Sequence, residues 1–309
     1  MIYDFAIVGA GISGLDIGWK LDTSNASVLI LEKSKSCGGR MATRRLNESK
    51  FDHGAQFIKR TKISDALIEF WTSRNILKRF PVPDFDSYFG LGGMTRLTKE
   101  ISQNLNLKYN SKVITLKNTP HGWRLTLDSG DSILSKNIIL SCPLPQSLEL
   151  LKNSDIPFDP KLQDIHYAKS IVSLISLQQP LKEHLTFVEN FDSDIYSICS
   201  QKGKGLSIDH NYTIVMTEKW SEDHFGLSDD EIKQKSIVLF KTKFGSTDIS
   251  DFQIKKWRYC QPTSMWSELF YQPHPDIYLI GDAFGGPSLN GALLSSDGLA
   301  KKLISNTHV

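Results

Sequence analysis

Gly9-Ala10-Gly11-Ile12-Ser13-Gly14 stands between an apolar run, Tyr3 to Val8, and a helical apolar series, Ile12, Leu15, Ile17 and Leu21. A G-x-G-x-x-G turn in that position makes a phosphate cradle. Its first glycine permits the tight turn, its second lets the backbone approach a pyrophosphate, and its third lets the helix pack on the strand. Unpaired amides and the macrodipole at the helix N-terminus favour the anion. A second apolar run, Ser27 to Leu31, ends at Glu32, within the spacing of roughly 20 residues expected of a ribose-binding acid. The stretch predicts a β-α-β unit with a right-handed crossover. It does not decide between NAD and FAD.

The flanking sequence decides that. Residues 33 to 57 contain Gly38-Gly39-Arg40-Met41, Thr43-Arg44-Arg45 and Asp52-His53-Gly54-Ala55-Gln56-Phe57, and read as an ordered loop against a ligand. Arg40 offers a planar fork to a pyrophosphate. Far downstream, the strand Ile277 to Ile280 closes on Gly281-Asp282. An acid there accepts hydrogen bonds from a ribityl chain, which FAD has and NAD lacks.

Between these ends, helices are predicted over 63 to 75, from Met94, over 229 to 240 and over 291 to 303. Pro81, Pro83, Gly90, Gly92 and Gly93 punctuate the intervening chain. Strand signals at 112 to 116, 123 to 128, Ile133 and 138 to 141, separated by turn residues, predict an antiparallel meander. From 155 to 255 the pattern changes to alternating strands with one helix. The fold class is therefore α/β: a Rossmann-type FAD-binding domain with a mixed α+β substrate domain. The expected division is 1–60, 90–154 and 256–309 for the first, with 61–89 and 155–255 for the second.

Composition narrows the function. Of 309 residues, 40% are hydrophobic, and 36 Lys and Arg stand against 34 Asp and Glu. That balance excludes the basic excess typical of nucleic-acid binding. Cys37, Cys142, Cys199 and Cys260 form no CxxC pair and read as reduced thiols without a metal site. Met1 leads almost directly into a strand, and no apolar run reaches the ~20 residues of a bilayer span. The expectation is a cytoplasmic protein with no membrane or nucleic-acid partner, in which the sequons at Asn25, Asn47 and Asn211 carry no meaning.

GAGISG, Glu32, GGRM with Thr43-Arg44-Arg45, and DHGAQF together resemble the renalase branch of the flavin amine oxidase superfamily. The resemblance continues through Gly93-Met94, Pro143 to Gln146, Trp257-Arg258-Tyr259 with Pro262, and GDAFGG to Gly291-Ala292. Residues 155 to 255 match mainly by pattern. The resemblance implies an FAD enzyme that oxidises 2- and 6-dihydro isomers of NAD(P), passing hydride to flavin N5 and electrons to O2. The products would be NAD(P)+ and hydrogen peroxide. It implies that FAD is held by Gly9, Gly11, Ile12, Ser13, Gly14, Glu32, Lys33, Gly39, Arg40, Met41, Gly281, Asp282 and Gly291. Val113 would lie near the adenine, Ala55 and Gln56 against the isoalloxazine, and Ala292 facing its N1–C2=O edge. Asn290 departs from the family pattern, which often has an acid there.

Hydride transfer to a flavin needs alignment more than proton transfer, so the lack of a Ser/His/Asp or paired-carboxylate signature is compatible with this chemistry. Amides of the helix starting near Gly291 would stabilise negative charge on reduced flavin. Cys260 lacks the context of a flavin-linking residue, so the FAD is expected to be non-covalent. The substrate-pocket candidates are His53, Gln56, Trp257 and Tyr259. His53 reads as a structural histidine before a catalytic one. Trp257 and Tyr259 alternate in a strand and share a face, as a wall for a nicotinamide or as core. Arg44 and Arg45 reach phosphates or solvent, and Met94 reads as core. Two alternatives stay open: an FAD-dependent amine oxidase, and a non-catalytic flavin-binding sensor or interaction protein.

Overall fold

The structure is a computed structural model that describes residues 1–80, 85–181, 185–245 and 248–305; Pro81 and Pro83 lie outside these. Strand β1 (Ile2–Val8) stops at Gly9, whose φ of 108° is open to glycine and strained for other residues. Helix α1 (Ile12–Thr23) starts just beyond, and β2 (Val28–Leu31) returns parallel to β1, pairing Phe5 with Val28 and Val8 with Leu31. The β-α-β reading of the opening stretch is the observed one.

The next segment, expected as loop throughout, contains a hairpin, β3 (Thr43–Leu46) and β4 (Ser49–Asp52), with Thr43 opposite Asp52. Asn47, at φ 51°, closes its turn. The polar residues of β3 and β4 hid the pattern; the apolar residue that matters, Phe51, is fully buried. Strands β5 (Ile58–Lys59), β6 (Leu77–Phe80) and β7 (Ser87–Gly90) form a small antiparallel sheet, with α2 (Asp65–Ser73) between the first two in sequence. Helix α3 (Met94–Ser102) opens at Met94, a core residue as expected.

After β8 (Leu107–Lys108) comes the predicted meander, β9 (Val113–Thr119), β10 (Gly122–Leu127) and β11 (Ser132–Leu140). Ile133 and Ile138 belong to one strand. Polar Lys136 and Asn137 split its apolar signal where its edge changes partner, from antiparallel β10 to the parallel C-terminal strand. Helix α4 (Leu144–Lys152) follows.

The later half builds a five-stranded antiparallel sheet from β12 (Tyr167–Leu177), β13 (Phe187–Glu189), β14 (Ile195–Ser200), β15 (His210–Met216) and, after two helices, β16 (Ile249–Pro262), in the order β13-β14-β15-β12-β16. A short helix, α5 (Glu218–His224), capped by Thr217, follows β15 and was not expected. The predicted helix is α6 (Asp229–Phe244), started by a reciprocal cap between Ser228 and Glu231. Strand β16 pairs with β12 on both sides of residue 256 and so runs through the expected domain boundary there.

Strands β17 (Tyr271–His274) and β18 (Ile277–Leu279) complete the main sheet, ordered β17-β18-β11-β1-β2-β8. Its parallel strands are apolar on both faces, as burial on both sides requires. Ile7, Ile30 and Ile139 meet α1 and α3, while Ala6, Leu29 and Leu140 meet the meander and α4. Helices α7 (Asp282–Gly285) and α8 (Leu289–Ser305) end the chain's described part. Helix α8 lies on α1, where Ser296 donates to the buried Asp16 (2.6 Å) and Lys20 joins Asp16 (2.8 Å) to Asp297 (3.2 Å). The two glycine-rich ends thus meet in one sheet.

Candidate cofactor and substrate site

The phosphate turn shows why each glycine is there. A Cβ on Gly14 would collide with Gly9 O and Ser141 Oγ, whereas one on Gly11 would meet nothing within 4 Å. Gly39 stands across from Gly11, so two loops flank open space at the N-terminus of α1. Ile12 and Ser13, which open α1 there, are buried. Glu32 accepts from Ala10 N (2.9 Å) and Ser34 N (2.8 Å), and each carboxylate oxygen keeps a lone pair for a ribose hydroxyl. Ser111 N donates to Glu32 O at 2.9 Å, which brings the start of β9, with Val113, beside the acid. An acid-ended strand, an open glycine face and helix amides together fit the adenine half of FAD. Of the other expected contacts, the Lys33 side chain reaches Gln146 (3.1 Å) on the surface and the Met41 side chain lies in the core.

Arg40 and Asp282, expected as separate cofactor contacts, form one ion pair. Both guanidinium nitrogens reach the carboxylate, one of them at 2.8 Å, and a further bond goes to Cys260 O at 2.9 Å. Tyr167 donates its hydroxyl to Asp282 at 3.1 Å. Burial works against the Arg40 charge, but Asp282 outweighs it and holds the guanidinium above its ordinary value. Burial, then the Asp282 carboxylate, keeps Tyr167 above the ordinary phenol range. The side chain of Arg40 stays 30% exposed and that of Asp282 6%, so the pair keeps an open edge for a polar ligand. Its geometry follows from a close approach: Gly54, without a Cβ, lets the DHGAQ loop press on Arg40 O, and Ala55 N donates to that oxygen at 2.9 Å.

Gln56 was expected to face the isoalloxazine. Its side chain instead turns inward, donating to Asp52 O (2.7 Å) and Gly54 O (3.0 Å) and accepting from Gln201 (3.3 Å). The cause is a pair that the sequence did not reveal. Lys204 Nζ lies 2.5 Å from Asp52 Oδ2 and donates to Gln56 O at 2.8 Å, with the Lys204 and Asp52 side chains fully buried. Thr43 Oγ1 (2.5 Å) and Met94 N (2.8 Å) satisfy the other Asp52 oxygen. In sequence, Lys202-Gly203-Lys204-Gly205 reads as a solvated turn, and nothing local marks one lysine for the interior.

His53 stacks on Trp257, ring centroids 5.4 Å apart and planes 19° apart, and Trp257 Nε1 donates to His53 O at 2.8 Å. Burial first, then the Lys255 charge, pushes His53 down to about 4, so it is neutral near pH 7. Among the described residues its buried Nδ1 has no hydrogen-bond partner. Tyr259 meets Tyr167 edge-on at 5.9 Å. Trp257 and Tyr259 are each only partly buried. Trp257 lies on the sheet face that meets the hairpin and Phe51, and the register of β16 against β12 shifts between Trp257 and Gln261, so alternation does not fix the face of Tyr259.

The C-terminal turn differs from expectation in one respect. Helix α8 begins at Leu289, before Gly291, so Ala292 sits where the intrahelical ladder starts and gives its N–H to Ser288 O at 3.0 Å. That amide is therefore not free for a flavin edge, and Gly291 N is held by Ser288 Oγ at 3.0 Å. Asn290 donates to Lys59 O at 3.0 Å, where an acid could only accept.

Among the described residues, no cluster of His, Cys, Asp and Glu could hold a metal ion, and no helix is long and apolar enough to cross a membrane. The whole fold recurs in solved structures at low identity. An assigned protoporphyrinogen oxidase from Exiguobacterium sp. 255-15 aligns with TM-score 0.78 and 13% identity over 98% of each chain. Cyclohexylamine oxidase from Brevibacterium oxydans IH-35A aligns with TM-score 0.78 and 12% identity over 100% of each. Putrescine oxidase bound to putrescine gives 0.71 and 14% over 99% of each. In sequence, an NAD(P)-binding Rossmann-like domain matches residues 7–73, and flavin containing amine oxidoreductase matches residues 79–304. With most of its length matched there, the chain belongs to the flavin containing amine oxidoreductase family and is an FAD-dependent oxidoreductase.

Proposed function

We propose that the chain oxidises 2- and 6-dihydro isomers of NAD(P) to NAD(P)+, with non-covalent FAD as acceptor and O2 as the final oxidant. The observation that carries this reading is the stack of Trp257 on His53 of the DHGAQ loop, a flat, uncharged surface suited to a nicotinamide ring. FAD, when bound, would supply the redox chemistry: it would accept a hydride, two electrons and one proton, from the substrate, and O2 with a second proton from solvent would leave as hydrogen peroxide. The protein's part is alignment. Arg40, Asp282 and Tyr167 present an open polar edge to the ribityl and phosphate portion; Gly11, Gly39 and Glu32 hold the adenine half. Lys204 and Asp52 fix the loop carrying Ala55. No side chain is required to take a proton, and the neutral His53 is consistent with that.

A second reading, oxidation of an amine, rests on one contact: Tyr167 and Tyr259 form an aromatic pair near Asp282 that could frame a small substrate. Cyclohexylamine oxidase and putrescine oxidase share the fold. Anaerobic titration of the yellow holoenzyme separates the two. Bleaching by 2- or 6-dihydro-NAD(P) within seconds, with cyclohexylamine and putrescine inert, is expected. Bleaching by the amines alone would replace the first reading with the second.

A further inference from the structure

The sequence left Arg44 and Arg45 without a settled role, and the structure separates them. In the hairpin, Arg44 is opposite Phe51 and Arg45 opposite Lys50. Phe51 packs on Val172 and Leu174 of β12, and Val172 lies opposite Lys255 of β16. Lys255 precedes Trp257 by two residues and so shares its face, about 6.6–6.8 Å along the strand. Arg44 and Lys255 therefore converge at the edge of the Trp257–His53 stack. Among the described residues neither side chain has a hydrogen-bond or ion-pair partner. The next lysine shows the contrast: Lys256 faces the other way, donating to Leu227 O (2.8 Å) and pairing with Asp229 (3.4 Å).

The charges act on one another. Burial first, then the Arg44 charge, holds the Lys255 ammonium below its ordinary value, with Asp229 opposing. Both cations also act on His53, where the opposing Asp52 is already engaged by Lys204. Like charges left together beside an aromatic surface are destabilising until an anion sits between them.

We propose that Arg44 and Lys255 form a binding site for the phosphate or pyrophosphate group of the substrate, one sugar's length from the ring that Trp257 supports. The proposal rests on the nucleotide reading of the substrate. It adds which residues recognise the anion, and it disfavours cationic amines at this edge.

The test uses FAD-loaded protein and three probes: NAD+, inorganic pyrophosphate, and phosphate-free nicotinamide riboside, followed by calorimetry and flavin absorbance. The R44Q/K255Q variant is expected to bind NAD+ about tenfold or more weakly, with the riboside changed less than about twofold. Pyrophosphate should compete for NAD+ in the wild type and lose that ability in the variant, and R44K should retain most of the NAD+ affinity. Flavin content and melting temperature report folding, and R45Q is the surface control. Equal losses for riboside and NAD+, no loss, or a wild type that binds no NAD+ would each overturn the site. If the wild type binds NAD+ through these residues but no dihydronicotinamide bleaches it, the site stands and the proposed reaction falls. If dihydronicotinamides bleach the flavin equally well without Arg44 and Lys255, the reaction stands and the site falls.

Discussion

Arg40–Asp282 and Asp52–Lys204 both tie an N-terminal loop to a distant segment, 242 and 152 residues away. Their surroundings differ. Lys204 and Asp52 are sealed at 0% exposure, whereas Arg40 remains 30% exposed. A buried pair holds its charge only if nearly every lone pair and proton has a partner, and here Thr43, Met94 N and Gln56 O supply them. The sealed pair therefore fixes geometry, while the open pair, shared with Tyr167 and Cys260 O, remains available to a ligand. One fold uses the same chemistry once as a sealed anchor and once, in the proposed reading, as a grip on the cofactor.

That contrast can be broken. Lys204→Met leaves Asp52 buried without its cation and is expected to destabilise the protein by about 3–5 kcal/mol in urea unfolding. Adding Asp52→Asn should restore part of the loss, because the orphaned charge is gone. If both variants unfold at the wild-type midpoint, the anchor does not exist.

Arg40→Met should show the other behaviour. Removing a part-exposed partner is expected to lower apoprotein stability by about 1–2 kcal/mol. FAD, in contrast, should dissociate at least about tenfold more readily by fluorescence titration. An apoprotein weakened as much as by Lys204→Met, with FAD affinity intact, would erase the distinction between grip and anchor.

His53 follows Asp52 and sharpens the comparison through pH. Its folded value of about 4 lies below the ordinary 6.5, so the unfolded chain binds more protons between those limits. Stability is therefore present above about pH 6.5 and lost as pH falls toward 4. His53→Gln should flatten that slope, by an amount on the order of 1 kcal/mol for a partly solvated ring. Identical slopes for the variant and wild type would mean the ring is charged or solvated in the folded state.

The smallest effect on folding is expected at Gly11. A Cβ there meets nothing within 4 Å, so Gly11→Ala should leave the apo melting temperature nearly unchanged while FAD occupancy falls. Full occupancy would show that the open face at α1 is not where the phosphates lie.

The opening β-α-β unit, the meander and the return of a C-terminal strand to the main sheet were legible, because their signals are local: a glycine spacing, an apolar period, a turn residue. The hairpin of residues 43 to 52 was not, since Leu46 and Phe51 are its only apolar side chains and the polar residues between and beside them, Arg44 and Arg45 included, mask the pattern. The Ala292 amide was expected to be free, and it is not, because one residue's shift in where a helix begins decides which amides stay free.

By itself the sequence determined what the chain could bind: glycines, an acid after β2 and a Gly-Asp closing strand specify a dinucleotide cradle through backbone geometry that neighbours in sequence control. Tertiary structure alone decided which charges meet. Nothing local distinguishes Lys204 from Lys202, or Lys255 from Lys256; a turn's docking and a strand's alternation send one of each inward or toward the site and leave its neighbour elsewhere. Charge pairing across long separations depends on how sheets pack, and that information is spread over the whole chain.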